Sequence, residues 1–206
     1  MKRLVHILLI GVVSLILVSP LAAREEKKEA TTQAALEQPK QEESWEELNS
    51  KVTSLYKEQK FMKASGLNKY VVSVARKLPE PEREKLAISL GNMSMIATHL
   101  GKFMEAEQSA WEELAILQKK FGKKSLDVVR AWNHLALIYT MAQEPRDAEL
   151  CLESIIEIEE GHYGKENAKV IPSYQKLLKF YQISKNKEKE KELSARLKEM
   201  EKGKKK

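Results

Sequence analysis

Cysteine occurs once in 206 residues, as Cys151, which excludes an intrachain disulfide framework and any cysteine-based structural zinc site. A lone thiol of this kind is expected as a small buried hydrophobe. Glycine and proline are sparse, eight and six, and long stretches are rich in Ala, Leu, Glu, Lys and Gln, which lose little side-chain freedom in a helix. The expectation is all-α. There is no Gly-rich phosphate loop, no Gly-x-Ser-x-Gly and no Cys/His pairing. His99, His134 and His162 are spaced by 35 and 28 residues, matching no local metal motif. The chain therefore reads as no enzyme, with no catalytic residue, cofactor or metal.

A basic body is also missing. The pI is near 9.2 and the formal charge +6, but Lys2 and Arg3 and the ten Lys or Arg against five Glu from Lys185 onward account for the excess. Residues 24–184 are close to neutral, which argues against nucleic acid as a partner.

Long apolar runs are confined to one place. Lys2 and Arg3 precede Leu4 to Val18, and Ser19-Pro20-Leu21-Ala22-Ala23 leads into Arg24-Glu25-Glu26, the order of a secretory signal. Cleavage after Ala23 predicts a periplasmic or secreted protein. If it fails, Leu4 to Ala23 is about the ~20 residues that span a bilayer, and the chain is inner-membrane-anchored, facing the periplasm. Residues 24–43 mix charges with few large apolar groups and Pro39, and are expected as a disordered tether. Ser44 and Glu47 form a capping box that opens the folded part. The reading is thus 1–23 signal or anchor, 24–43 linker, 44–201 helical domain and 202–206 basic tail.

The feature present in quantity is repetition. An offset of 42 pairs Leu90 with Trp132, Met93 with Leu135, Ile96 with Ile138, Ala106 with Ala148, Phe121 with Tyr163 and Gly122 with Gly164. Stepping back reaches Leu48, Phe61 and Ala64; stepping forward reaches Tyr174, Leu177 and Tyr181. Four units result, the first and last degraded. Within a unit, apolar residues at spacings of three and four describe one helix, a short turn such as Gly101-Lys102 comes next, and a second helix begins. Ser94, Ala106, Ala136 and Ala148 are small enough for a close helix crossing. Gly122 and Gly164 suit a left-handed C′ position, and Ser125 and Asn167 can cap the next helical segment.

This pattern resembles the tetratricopeptide repeat in its 42-residue kinesin-light-chain variant, over roughly Trp45 to Leu197. Ser94, Leu100, Gly101, Phe103, Ala106 and Gly122 fit one unit, and Leu135, Ala136, Tyr139, Ala148, Ile156 and Gly164 the next. Gln59 and Gln143 replace the turn glycine, Pro145 the turn aromatic, and Val71, Glu113 or Ile155 an alanine of the second helix. Lys185 and Glu190 leave the last helix as a solvated or frayed cap. The resemblance implies an α-solenoid of about four antiparallel hairpins in a right-handed superhelix, whose first helices line a concave groove for a partner peptide or helix.

The groove residues it implies are Asn49, Thr53 and Lys57 in the first unit, Asn92, Met95 and His99 in the second, Arg130, Asn133, His134, Leu137 and Met141 in the third, and Gln175 in the fourth, with Glu46, Gly91, Thr98 and Lys179 also inward. Asn92 stands where some family members grip a ligand backbone or carboxylate, but a full carboxylate clamp has only Lys57 and Arg130 as basic companions. A polar groove with backbone-pairing asparagines is the simpler expectation. Glu107, Glu149 and Lys189 are expected to face outward and serve solubility alone. The function implied is a non-enzymatic scaffold or adaptor in the cell envelope. The alternative is a structural homo-oligomer that stacks through its end hairpins.

Overall fold

The computed structural model describes residues 43–203, so the expected signal or anchor, nearly all of the tether and the last three tail residues lie outside the described residues. The helical part opens as its chemistry requires. The Ser44 hydroxyl accepts from the Glu47 amide and the Glu47 carboxylate accepts from the Ser44 amide, a complete capping box. Helix α1 (Trp45–Lys57) and α2 (Phe61–Ala75) form the first hairpin, α3 (Arg83–His99) and α4 (Phe103–Phe121) the second, α5 (Val129–Met141) and α6 (Pro145–Tyr163) the third, and α7 (Ile171–Ile183) and α8 (Lys187–Gly203) the fourth.

The turns inside the hairpins are one structure used four times. Gln59, Gly101, Gln143 and Lys185 have φ of 58°, 71°, 62° and 57°, each 42 residues from the last. In each turn the next amide bonds back five residues, Lys60 to Leu55, Lys102 to Ala97, Glu144 to Tyr139 and Asn186 to Tyr181, at 2.8–3.0 Å. This is the Schellman closure, which satisfies carbonyls that the helix end would otherwise orphan. Only the second turn uses glycine, so the other three carry the steric cost of a left-handed L-residue.

The turns between hairpins repeat as well. Gly122 and Gly164 take φ of 90° and 89°. Ser125 and Asn167 then cap short 3-10 turns by accepting from the Asp127 and Lys169 amides. The first such turn substitutes Pro79 and a 3-10 turn at Glu80–Glu82. Pro145, where the resemblance expects an aromatic, lies in the first turn of α6, where its missing N–H costs nothing.

Each helix packs on the next, and α1 also packs on α3 and α3 on α5. Ala64, Ala106 and Ala148 are fully buried at the crossings, as the small-residue pattern requires. The outer helices are stitched by ion pairs such as Arg76 with Glu112 at 2.6 Å and Arg196 with Glu160 at 2.8 Å. The last helix is not frayed: α8 buries Leu193, Leu197 and Met200 against the stack and leaves a charged face outward.

Candidate functional site

The first helices of the hairpins present the candidate site. Between α1 and α3, Asn92 donates through Nδ2 to Asn49 Oδ1 at 2.7 Å. Beside this pair lies a small cleft of about 80 Å³ lined by Val52, Thr53, Tyr56, Asn92, Met95 and Ile96. Thr53 spends its hydroxyl on the Asn49 carbonyl one turn back, so it offers the cleft its methyl group. Four expected residues, Asn49, Thr53, Asn92 and Met95, are thus brought together. Between α5 and α7, Asn133 donates to the Val129 carbonyl and accepts from Lys176 Nζ at 2.7 Å. Leu137 is half-buried, and Lys57, Met141 and Gln175 are exposed.

His99 belongs to an aromatic cluster at the hairpin tip. Its ring stacks on Phe61 at 4.6 Å between centroids, and its Nε2 lies 2.8 Å from the Tyr56 hydroxyl. Thr98 and Gly91, expected to face the groove, are buried instead. Thr98 turns its hydroxyl to the Ser94 carbonyl, and Gly91 faces α4.

The reason for Gly91 is a carboxylate missed by sequence reasoning. Glu113, on α4, is fully buried, and its two oxygens accept from Arg130 Nε at 2.8 Å and His134 Nδ1 at 2.7 Å. A Cβ at Gly91 would sit 2.8 Å from Glu113 Oε1. Three helices therefore build one ionic cluster: α3 supplies the space, α4 the acid and α5 the two bases. Arg130 and His134 are accordingly not free groove side chains, because Glu113 holds both, although the Arg130 side chain keeps 45% of its exposure. A signal was present in the sequence. Glu113 is in register with Val71 and Ile155, and Gly91 with Asn49 and Asn133, so an acid among apolar residues coincides with a missing side chain among asparagines.

Glu107 and Glu149 are likewise corrected, since they are not merely solvated. Tyr139 donates to Glu107 at 2.6 Å and Tyr181 to Glu149 at 2.7 Å, with Trp111 Nε1 donating to the Tyr139 oxygen at 3.2 Å. Lys189 adds an ion pair to Glu149. Burial, then the hydrogen bond to each glutamate, raises the phenols of Tyr139 and Tyr181 above their ordinary range. Burial works against the charge of Glu149, but Lys189 and Tyr181 outweigh it and hold the carboxyl below its ordinary value. Cys151 is buried, and burial followed by the charge of Asp147 pushes its thiol up to about 12. Among the described residues, no group of His, Cys, Asp or Glu could hold a metal ion.

Residues 85–160 match the tetratricopeptide repeat family. Over these residues the chain is similar to tetratricopeptide repeats. The match takes in α3 to α6 and stops short of the outer hairpins, whose sequences are freed from the repeat because one face of each has no neighbour. Among solved structures, BtubC (BKLC) from P. vanneervenii is 21% identical with a TM-score of 0.64, covering 89% of this chain and 76% of that one. A Podosopora anserina kinesin light chain of nearly identical TPR-like repeats is 17% identical with a TM-score of 0.66, covering 88% and 86%, and a point variant of that protein is equally similar. The fold of these repeats is that of kinesin light chains. No curated protein matches the chain in sequence. Tetratricopeptide repeats generally mediate protein–protein interaction, and proteins built from them are typically non-enzymatic scaffolds.

Proposed function

We propose that the protein is a non-enzymatic adaptor that holds an extended peptide or a helix of a partner protein along the first-helix face of its repeats, in the cell envelope. The observation that carries the reading is the α1–α3 cleft, where the paired amides of Asn49 and Asn92 border the apolar Val52, Met95 and Ile96. Side-chain amides can exchange their mutual bond for a peptide N–H and C=O, and an adjoining apolar cleft can take a side chain from the same peptide. The Arg130 guanidinium, held by buried Glu113, adds a cation whose position is already set, which lowers the ordering cost of binding. The envelope location rests on Lys2, Arg3 and the Leu4 to Val18 run. The repeats would be released there by cleavage of the leader or displayed there on a retained one. No observation favours stacking into homo-oligomers, because the outward face of α8 is charged.

The test starts from peptides selected by display against the parent protein. Asn92→Ala and Met95→Glu are expected to weaken those peptides by about tenfold or more, the loss of one or two good contacts, while Lys191→Ala on α8 leaves them unchanged. Selected peptides that bind all three variants equally would refute the groove. For location, residues beyond Arg24 should resist protease in intact cells and be digested once the outer envelope is opened.

A further inference from the structure

The chain builds one kind of junction three times, and the copies serve as controls for one another. In each, the second helix of a hairpin buries one side chain toward its own first helix and the next: Val71 on α2, Glu113 on α4 and Ile155 on α6. Asn49, Gly91 and Asn133 stand in register on the first helices, and Asn92, His134 and Lys176 in register on the following ones. Asn92 and Lys176 each donate to the preceding helix's asparagine at 2.7 Å. His134 meets glycine at that place and bonds Glu113 Oε2 at 2.7 Å instead. Two of the three copies therefore close with an aliphatic side chain and an amide. The backbone does not need a buried ion here.

A buried ion pair is in any case weak support for stability, because desolvation offsets the attraction. What the central copy has and the others lack is a held surface cation. Arg130 is in register with Ile88 and Pro172, and it keeps 45% of its side-chain exposure while Glu113 fixes its Nε at 2.8 Å. Its two Nη atoms, which can take a carboxylate, bond nothing among the described residues. The surroundings have the matching sign. Neither α5 nor α7 contains an aspartate or a glutamate. Lys176 is held beside Asn133, one turn from Arg130, and Lys179 is exposed one turn further along α7. The carboxylates that reach these helices from α4 and α6 are already engaged, Glu107 by Tyr139, Glu149 by Tyr181 and Lys189, and Glu160 by Tyr174 and Arg196. Asp127 and Glu166 lie in the preceding turns with Lys123 and Lys165, and Glu144 in the turn after α5. In the α1–α3 half, by contrast, Lys51 is paired with Glu43 and Lys85 with Glu46 and Glu82.

We propose, resting on the peptide-binding reading above, that the α5–α7 half of the first-helix face takes aspartate or glutamate side chains of the bound segment. Arg130 and Lys176 are the gripping cations, the guanidinium fork matching a carboxylate edge, and Glu113 is a positioning residue for Arg130. The partner segment is then apolar where it enters the α1–α3 cleft and acidic where it crosses α5 and α7.

The experiment uses the full chain. Peptides selected on it by display are remade with amidated ends, so that no chain-terminal carboxylate is present, each beside a counterpart with Asn and Gln for Asp and Glu. The readout is the ratio of the two affinities. The parent should select peptides enriched in Asp and Glu and prefer the acidic form by about tenfold or more. Lys176→Gln with Lys179→Gln, both at exposed side chains, should cut the ratio severalfold, and Arg130→Gln should cut it further. Glu113→Ile with Gly91→Asn copies the outer junctions. It should melt no lower than the parent yet lose about threefold or more of the ratio, because Arg130 is present but no longer held. Asn92→Ala and Met95→Glu should weaken both peptides of a pair alike and leave the ratio unchanged. Selected peptides no richer in acid than the library, or a parent ratio near one, overturn the proposal and leave the groove reading standing. A ratio that follows Arg130 while Asn92→Ala and Met95→Glu change neither affinity supports the carboxylate site and refutes the α1–α3 cleft. A junction-copy variant that melts lower with its ratio intact overturns the positioning role of Glu113.

Discussion

Gly91→Ala is the substitution whose sign depends most on the Glu113 cluster. In the interior of a solvated helix, replacing glycine with alanine stabilises by about 1 kcal/mol. Gly91 lies inside α3, but its new Cβ would stand 2.8 Å from Glu113 Oε1 and 2.9 Å from the carboxyl carbon. A carboxylate at the end of a side chain could normally swing aside. This one is fully buried and held by Arg130 at 2.8 Å and His134 at 2.7 Å, so moving it lengthens charge-assisted bonds where water cannot replace them. Overpacking typically costs about 1–3 kcal/mol, and full loss of a partner from a buried pair about 3–5 kcal/mol. Set against the helix gain, a net loss of about 2 kcal/mol is expected, or about 4–8 °C in Tm for a chain of this size. In a Glu113→Ala background the obstruction is gone, and Gly91→Ala should gain about 1 kcal/mol. The coupling of about 3 kcal/mol is read from a double-mutant cycle by thermal and urea unfolding followed by circular dichroism. An effect of the same sign and size in both backgrounds would refute the packing argument, and a Gly91→Ala protein more stable than the parent would refute the cluster itself.

Gln143→Gly should raise stability by about 1 kcal/mol, because its φ of 62° imposes on an L-residue a cost that glycine avoids; an unchanged melting temperature would contradict the left-handed turn. Cys151 should be inert to a disulfide reagent near pH 8 in the native protein and react promptly in denaturant. With its thiol pushed up from 9.0 to about 12, the unfolded chain ionises first as pH rises. Its contribution to stability is therefore complete below about pH 9 and lost progressively up to about pH 12, and rapid native-state modification at pH 8 would contradict the burial.

The repeat, the hairpins and the positions of the turns were legible in the sequence because they rest on short-range chemistry. A capping box, a left-handed residue at a fixed place and a spacing of three and four are each decided within about ten residues of chain, and recurrence every 42 residues makes them visible even where Gln59, Gln143 and Lys185 have replaced the preferred glycine. The fate of the polar residues was another matter. Asn49, Asn92, Arg130 and His134 were recognisable as first-helix positions, yet a helical period says only which side of a helix a residue occupies and not what the next helix places opposite it. Glu113 reads locally as one more carboxylate on a charged helix. Its burial depends on Gly91 lying 22 residues before it and on Arg130 and His134 lying 17 and 21 after it, a coincidence that exists only once α3, α4 and α5 are packed. Glu107 and Glu149 became partners of Tyr139 and Tyr181 for the same reason. Local chemistry along the chain was enough to set the helices and their order. Which charges are solvated and which are held depended on packing, because the free energy of a charge is set by the neighbours that replace its water.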